Sequence, residues 1–189
     1  DELGIPAPDH HLGVGSGTHA EQTAKVMVEF EKVLKEEQPD WVIVVGDVNP
    51  TMACTIVANK IGIKVAHVEA GLRSYDRNMP EEINRVLTDS IADLLLTPSI
   101  DGNMNLIKEG IDEKKIRFVG NIMIDTLFNM RKRSDESTIL SELGISEKGY
   151  VLVTLHRPSN VDQEETLSNF VKILEETSQE LPMVWPVHP

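Results

Sequence analysis

Cysteine is nearly absent. The single Cys54 excludes an intrachain disulfide and has no companion with which to form a metal motif. Positive charge is also scarce: 18 Lys and Arg stand against 31 Asp and Glu, a formal net charge of −13. That balance argues against nucleic acid or an anionic membrane as a partner, although a local basic pocket within an acidic surface still suits a phosphorylated ligand. No apolar stretch approaches the ~20 residues of a membrane span, and nothing near Asp1 resembles a signal peptide. The expected compartment is the cytoplasm. There is no internal repeat and no low-complexity tract. The glycines Gly13, Gly15 and Gly17 lack the spacing of the dinucleotide fingerprint.

What is present is an ordinary globular composition, 189 residues with 40% apolar and 26% charged, enough for one domain or somewhat more. Strand-like and helix-like segments alternate, the pattern of a parallel α/β sheet. Thr18-x-x-Glu21 reads as a capping box opening a helix to Glu36, with Ala20, Ala24, Met27, Phe30 and Leu34 at helical spacing. Strands are expected at 41–45, 64–68, 94–97 and 116–119, with helices over roughly 51–61, 81–91 and 122–132, and another ending near Glu109. The helix after Pro80 is expected to turn Ile83, Val86, Leu87 and Ile91 inward. A polar interval from Arg131 to Gly149 marks a change in composition. It divides the chain into an N-terminal Rossmann-like domain, 1–147, and the opening βαβ unit of a C-terminal domain, 148–189. The latter pairs a strand at 150–155 and one at 183–188 around a helix over 163–178 with Leu167, Phe170, Val171 and Leu174 inward. The chain begins at Asp1 without a methionine and stops after an apolar strand-like run. It therefore reads as an internal piece of a longer protein, truncated at both ends, its first domain lacking its first strand.

Two strand-like runs deliver an acid to a loop: Trp41-Val42-Ile43-Val44-Val45-Gly46-Asp47, and Lys64 to His67-Val68-Glu69. Ligands of open parallel sheets bind outside the carboxyl ends of the strands, so Asp47 and Glu69 are candidates for one site. The competing reading is that each caps the helix that follows. Glu81 and Glu82 suit the first turn of a helix through its dipole, but with Asp47 and Glu69 they also make the carboxylate cluster that proton transfer at carbon requires. Arg73, Arg77 and Arg85 could hold phosphate or pair with these acids. His156 and Arg157 end the first strand of the second domain and suit an anion site; His188 has the same strand-end position. His10, His11 and His19 carry no assignment.

Four segments, Gly46-Asp47, His67-Val68-Glu69-Ala70-Gly71-Leu72-Arg73, Met79-Pro80-Glu81-Glu82-Ile83-Asn84-Arg85 and Thr154-Leu155-His156-Arg157-Pro158, resemble the UDP-N-acetylglucosamine 2-epimerase family, non-hydrolysing type, in residues, order and spacing. The likeness covers essentially the whole chain. It implies two Rossmann-like domains in a glycosyltransferase-B-like architecture with the substrate in the cleft between them. It implies a cytoplasmic homodimer that interconverts UDP-N-acetylglucosamine and UDP-N-acetylmannosamine for polysaccharide biosynthesis, without NAD or an obligatory metal. Elimination of UDP would give a 2-acetamidoglucal, to which UDP adds back with a proton delivered to the opposite face. Two faces need two proton-handling groups. The resemblance assigns Asp47, Glu69, Glu81 and His156 as catalytic, without deciding which acid takes the proton, and Arg73, Arg85, Arg157 and His188 to the substrate. Glu81, Arg157 and His188 also match positions that contact an activating second substrate molecule. Carry-over of that activator site stops at Pro158-Ser159-Asn160, where bacterial relatives continue with an arginine and a glutamate. The family's phosphate-binding Gly-Thr-Arg-Pro-Glu loop is expected before Asp1 and its Ser-Gly-Gly loop after Pro189, so these residues alone are expected not to turn over. Two alternatives stay open: a hydrolysing relative that releases UDP and N-acetylmannosamine, and a non-catalytic nucleotide-sugar-binding module.

Overall fold

In the computed structural model, which describes residues 5–155 and 158–187, the expected capping box forms. The Thr18 side chain accepts from the Glu21 N–H at 3.2 Å, and the Glu21 carboxylate accepts from the Thr18 N–H at 3.1 Å. Two of the donors that every helix start leaves unsatisfied are thereby met. Helix α1, His19–Glu37, follows. The chain divides into two compact units, one ending at Thr126 and one beginning at Leu127.

The first unit alternates as the sequence implies: β1 Trp41–Val45, α2 Asn49–Lys60, β2 Lys64–Val68, α3 Pro80–Ile91, β3 Leu94–Thr97, α4 Ile100–Lys108 and β4 Ile116–Phe118, with α5, Ile122–Asp135, beginning next. The four strands form one parallel sheet in the order β1-β2-β3-β4. The register sets Val45 opposite Val68, Val68 opposite Leu96, and Thr97 opposite Phe118. The carboxyl ends therefore lie level, and the loops that follow them emerge along one edge.

Val42 and Val44 of β1 pack with Val57 and Ala58 of α2, Val65 of β2, Leu95 of β3 and Leu106 of α4 in the core. Val65, Leu95 and Leu106 are fully buried, each contributing roughly 1.5–3 kcal/mol by leaving water. Period-2 alternation decides the rest of β1. Val42 and Val44 face the core, while Ile43 is 68% exposed on the other face. On α1, Val26 and Leu34 are buried and Met27 and Phe30 pack against the core that Leu34 joins, whereas Ala20 and Ala24 are exposed.

In the second unit, a short helix α6, Ile139–Glu142, precedes β5, Val151–Leu152. Helices α7, Pro158–Val161, and α8, Glu164–Ser178, lead to β6, Met183–Val184, which pairs with β5 in parallel. This is the expected βαβ unit with shorter strands. Leu167, Phe170, Val171 and Leu174 of α8 are half-buried, as their spacing predicts.

Candidate active site at the carboxyl ends of the strands

Asp47 enters the site through a turn that glycine makes possible. Gly46 has φ +70°, a region that L side chains rarely occupy. Its N–H still donates to Val68 O at 3.1 Å, and its carbonyl accepts from His67 Nε2 at 2.8 Å. The Asp47 carbonyl accepts from Asn84 Nδ2 at 2.9 Å, and its carboxylate accepts from Arg85 Nη2. Asp47 does not cap α2: the cap residue is Val48 and no side chain bonds there.

Glu69, one residue past β2, has φ +73°. A non-glycine residue held in the left-handed region is strained by about 1–2 kcal/mol, and such strain gathers at functional sites. A Cβ on Gly46 would stand 3.5 Å from Glu69 Oε2, so this carboxylate lies over the turn that presents Asp47. Among the described residues no group donates to it. Glu69 caps no helix either, since α3 is capped by Met79 without a side-chain bond. The structure thus brings Asp47 and Glu69 together and removes the capping alternative for both.

Helix α3 reverses the expectation about its faces. Of the four residues expected inward, Ile83, Leu87 and Ile91 are 41%, 44% and 36% exposed and Val86 is half-buried, while Glu82, Asn84, Thr88 and Asp89 are buried. Glu82, Arg85 and Asp89 recur at intervals of three and four and so form one stripe. That stripe faces peptide groups and charges rather than hydrocarbon. The Glu82 carboxylate accepts from Ser74 N at 2.9 Å, Ser74 Oγ at 3.1 Å, Tyr75 N at 3.1 Å and Arg85 Nη1 at 2.8 Å. Burial would raise this carboxyl, but the Ser74 and Tyr75 N–H groups, the Ser74 hydroxyl and Arg85 together hold it below its ordinary range. Asp89 accepts from Gly71 N at 3.0 Å and Arg73 Nη1 at 2.7 Å, and its other oxygen lies 2.6 Å from His67 Nδ1.

Arg73, expected to reach the substrate, has a side chain only 1% exposed. Its Nε and Nη2 donate to Glu109 at 2.8 and 2.6 Å. Burial disfavours its charge, yet Glu109 and Asp89 outweigh that and make it more basic. Arg85 is 13% exposed and bridges Glu82 and Asp47. For both arginines the structure shows pairing with acids, one of the two options open from sequence. Glu81 is exposed in the first turn of α3, four residues before Arg85 and hence on its side of the helix. His156, Arg157 and His188 lie outside the described residues.

The loop after β2 is fastened along its length. Besides the bonds to Asp89 and Glu82, the Gly71 carbonyl accepts from Asn105 Nδ2 at 2.9 Å and Tyr75 Oη donates to Asn105 at 2.6 Å. Gly71 has φ +81°, and a Cβ there would stand 2.4 Å from Gly102 O. The sequence pattern assigned no role to His67, Asn84, Asp89 or Glu109, and offered Glu82 as a first-turn acid or a member of the carboxylate cluster, not as the anchor of the loop after β2. The recurrence of charge at 82, 85 and 89 was the available signal for part of this set.

A groove of about 550 Å³ lies elsewhere, between α1, α2 and α3, lined by apolar residues such as Met27, Met52, Ile83 and Leu87; Asp47, Glu69 and Glu81 are not in its lining. No acid is in the lining of this groove. Among the described residues no three His, Cys, Asp or Glu side chains are grouped to hold a metal ion. No helix among them is long and apolar enough to cross a membrane.

Known proteins resemble this chain in sequence and in fold. The chain is 47% identical over its full length to a UDP-N-acetylglucosamine 2-epimerase homolog of Methanococcus maripaludis, covering 53% of that relative. It is 40% identical to a UDP-2,3-diacetamido-2,3-dideoxy-D-glucuronate 2-epimerase of Pseudomonas aeruginosa, again over the whole chain and 53% of the relative. The crystal structure of Methanocaldococcus jannaschii UDP-GlcNAc 2-epimerase in complex with UDP-GlcNAc and UDP superposes with a TM-score of 0.89 at 46% identity, over all of this chain and 53% of that one. The chain therefore spans about half the length of the relatives it matches. Residues 1–189 match the family description in full, and with two acids level at adjacent strand ends in a parallel α/β sheet, the chain belongs to the UDP-N-acetylglucosamine 2-epimerase family.

Proposed function

We propose that the full-length gene product interconverts UDP-N-acetylglucosamine and UDP-N-acetylmannosamine by eliminating UDP and adding it back. The supporting observation is the pair Asp47 and Glu69 on adjacent strand ends. Asp47 is paired with Arg85, while Glu69 has no donor among the described residues. One such pair supplies two carboxylates in different surroundings, which suits removal of the C2 proton on one face of the sugar and its return on the other. The C1–O bond to UDP breaks as the C2–H bond does, leaving a 2-acetamidoglucal and UDP. Re-addition reverses both with inversion at C2. Glu81 joins as the third acid, His156 steadies the departing phosphate, and Arg85, Arg157 and His188 belong to the substrate contacts. Arg73 acts from beneath, through the loop it braces.

The same reading includes a two-domain glycosyltransferase-B-like architecture with the hand-over near residue 148, a cytoplasmic homodimer, a place in polysaccharide biosynthesis, and no cofactor. A second reading changes only the sugar, to a 2,3-diacetamido uronate, and is favoured by the 40% identity to the Pseudomonas aeruginosa enzyme. Proton NMR of the full-length product with UDP-N-acetylglucosamine in heavy water tests both. UDP-N-acetylmannosamine deuterated at C2 is the expected product. Free N-acetylmannosamine with UDP would make it a hydrolysing enzyme, and an unchanged spectrum that moves only with the diacetamido uronate would establish the second sugar.

A further inference from the structure

His67 is fully buried in β2, and the proposed chemistry does not use it. Its ring links the turn after β1 to the buried carboxylate of α3. Nε2 lies 2.8 Å from the Gly46 carbonyl, and Nδ1 lies 2.6 Å from Asp89 Oδ1. A carbonyl only accepts, so Nε2 donates. Asp89 receives the Gly71 N–H and Arg73 Nη1 on its other oxygen, the company an ionised carboxylate keeps, so Nδ1 donates as well. Arg73 continues the chain to Glu109. The ring is thus a strut whose far end is anchored in the interior and whose near end carries one peptide group.

That peptide group is the one before Asp47. Gly46 is held on its N–H side by Val68 O at 3.1 Å and on its carbonyl side by His67. Both contacts come from β2, the strand that also delivers Glu69. Its left-handed backbone leaves Gly46 without local support for the turn, so the tilt of the Gly46–Asp47 peptide is set by these two bonds, with Asn84 and Arg85 holding Asp47 beyond it. We infer that His67 is a positioning residue, helping to fix Asp47 relative to Glu69 by tying the Gly46 carbonyl to the Asp89–Arg73–Glu109 chain. The inference rests on the proposed roles of Asp47 and Glu69. A displacement of about 1 Å at reacting groups can lower a rate ~10²-fold.

Two amide substitutions separate the two ends of the strut. In His67→Asn the amide nitrogen falls near the place of Nδ1, keeping Asp89 and abandoning Gly46. In His67→Gln it falls near Nε2, keeping Gly46 and abandoning Asp89. In the full-length product His67→Asn is expected to lose kcat about 10²-fold with KM little changed. His67→Gln is expected to recover most of that loss despite a lower Tm. Wild-type kcat in a folded His67→Asn variant, or kcat losses that merely follow Tm in both, would overturn the inference. A wild type that does not epimerise defeats the functional reading alone. Amide exchange then decides the strut: faster exchange at Gly46 and Asp47 in His67→Asn, but not in His67→Gln, supports it, and unchanged protection in both refutes it.

Discussion

Arg85 donates one arm of its guanidinium to Glu82 at 2.8 Å and the other to the Asp47 carboxylate. A buried anchor and a candidate catalytic acid thus share one cation, carried on α3 and reaching across to the end of β1. Arg85→Ala leaves Glu82, 2% exposed, with its charge uncompensated, and is expected to cost roughly 3 kcal/mol. Arg85→Lys, which cannot fork, should fall between. Urea unfolding midpoints rank the three proteins, and equal midpoints would show that the bridge carries no stability.

Glu69 combines a strained backbone with a carboxylate lacking a donor among the described residues. Glu69→Gly removes the strain and the carboxylate together. The expected result is a protein about 1 kcal/mol more stable that no longer epimerises in the full-length product. A higher Tm with full turnover would remove Glu69 from the reaction.

Gly71 meets Gly102 backbone to backbone. An added methyl at Gly71 would stand 2.4 Å from Gly102 O at φ +81°, whereas one at Gly102 would stand 3.2 Å from Ala70 O. Gly71→Ala is therefore expected to destabilise by roughly 3 kcal/mol or more, and Gly102→Ala by clearly less. Thermal melts of the two variants give the comparison directly.

Glu82 makes the loop after β2 sensitive to acid. Its folded pKa lies below the ordinary 4.5, so the folded state binds its proton less readily than the unfolded one. The resulting stability is complete above about 4.5 and is lost as pH falls through the lower folded value. Glu82→Gln removes this contribution, at a cost of roughly 1–3 kcal/mol at neutral pH. It should flatten the fall in Tm between neutral pH and pH 3, and parallel Tm curves would assign the acid sensitivity elsewhere.

Cys54 packs against the core, and burial pushes its thiol up to about 11. The nucleophilic thiolate is therefore rare at pH 8. Iodoacetamide should leave the folded protein unlabelled at pH 8 and label it promptly in urea, as mass spectrometry would show. Prompt labelling of the folded protein would mean that the core opens at α2.

The capping box at Thr18, the order of strands and helices, and the arrival of Asp47 and Glu69 at strand ends were all legible in the chain. Each is a local property: cap chemistry, a period of 3.6 or 2, a β-branched run stopped by glycine or an acid. The inward face of α3 was not legible in the same way. Hydrophobic periodicity pointed to Ile83, Val86, Leu87 and Ile91, but the helix lies over a buried arginine and a loop whose peptide N–H groups donate to Glu82 and Asp89, so these two acids turn inward instead. Nor does periodicity reveal that Arg73 meets Glu109, 36 residues away, or that His67 meets Asp89, 22 away. Sequence by itself determined the elements and which residues end each strand, because those follow from neighbours along the chain. Only the tertiary structure decided which charges are paired, which of the two strand-end acids lacks a donor among the described residues and which histidine reaches the Gly46 carbonyl, because pairing of buried charge depends on distances between segments that local propensity does not encode.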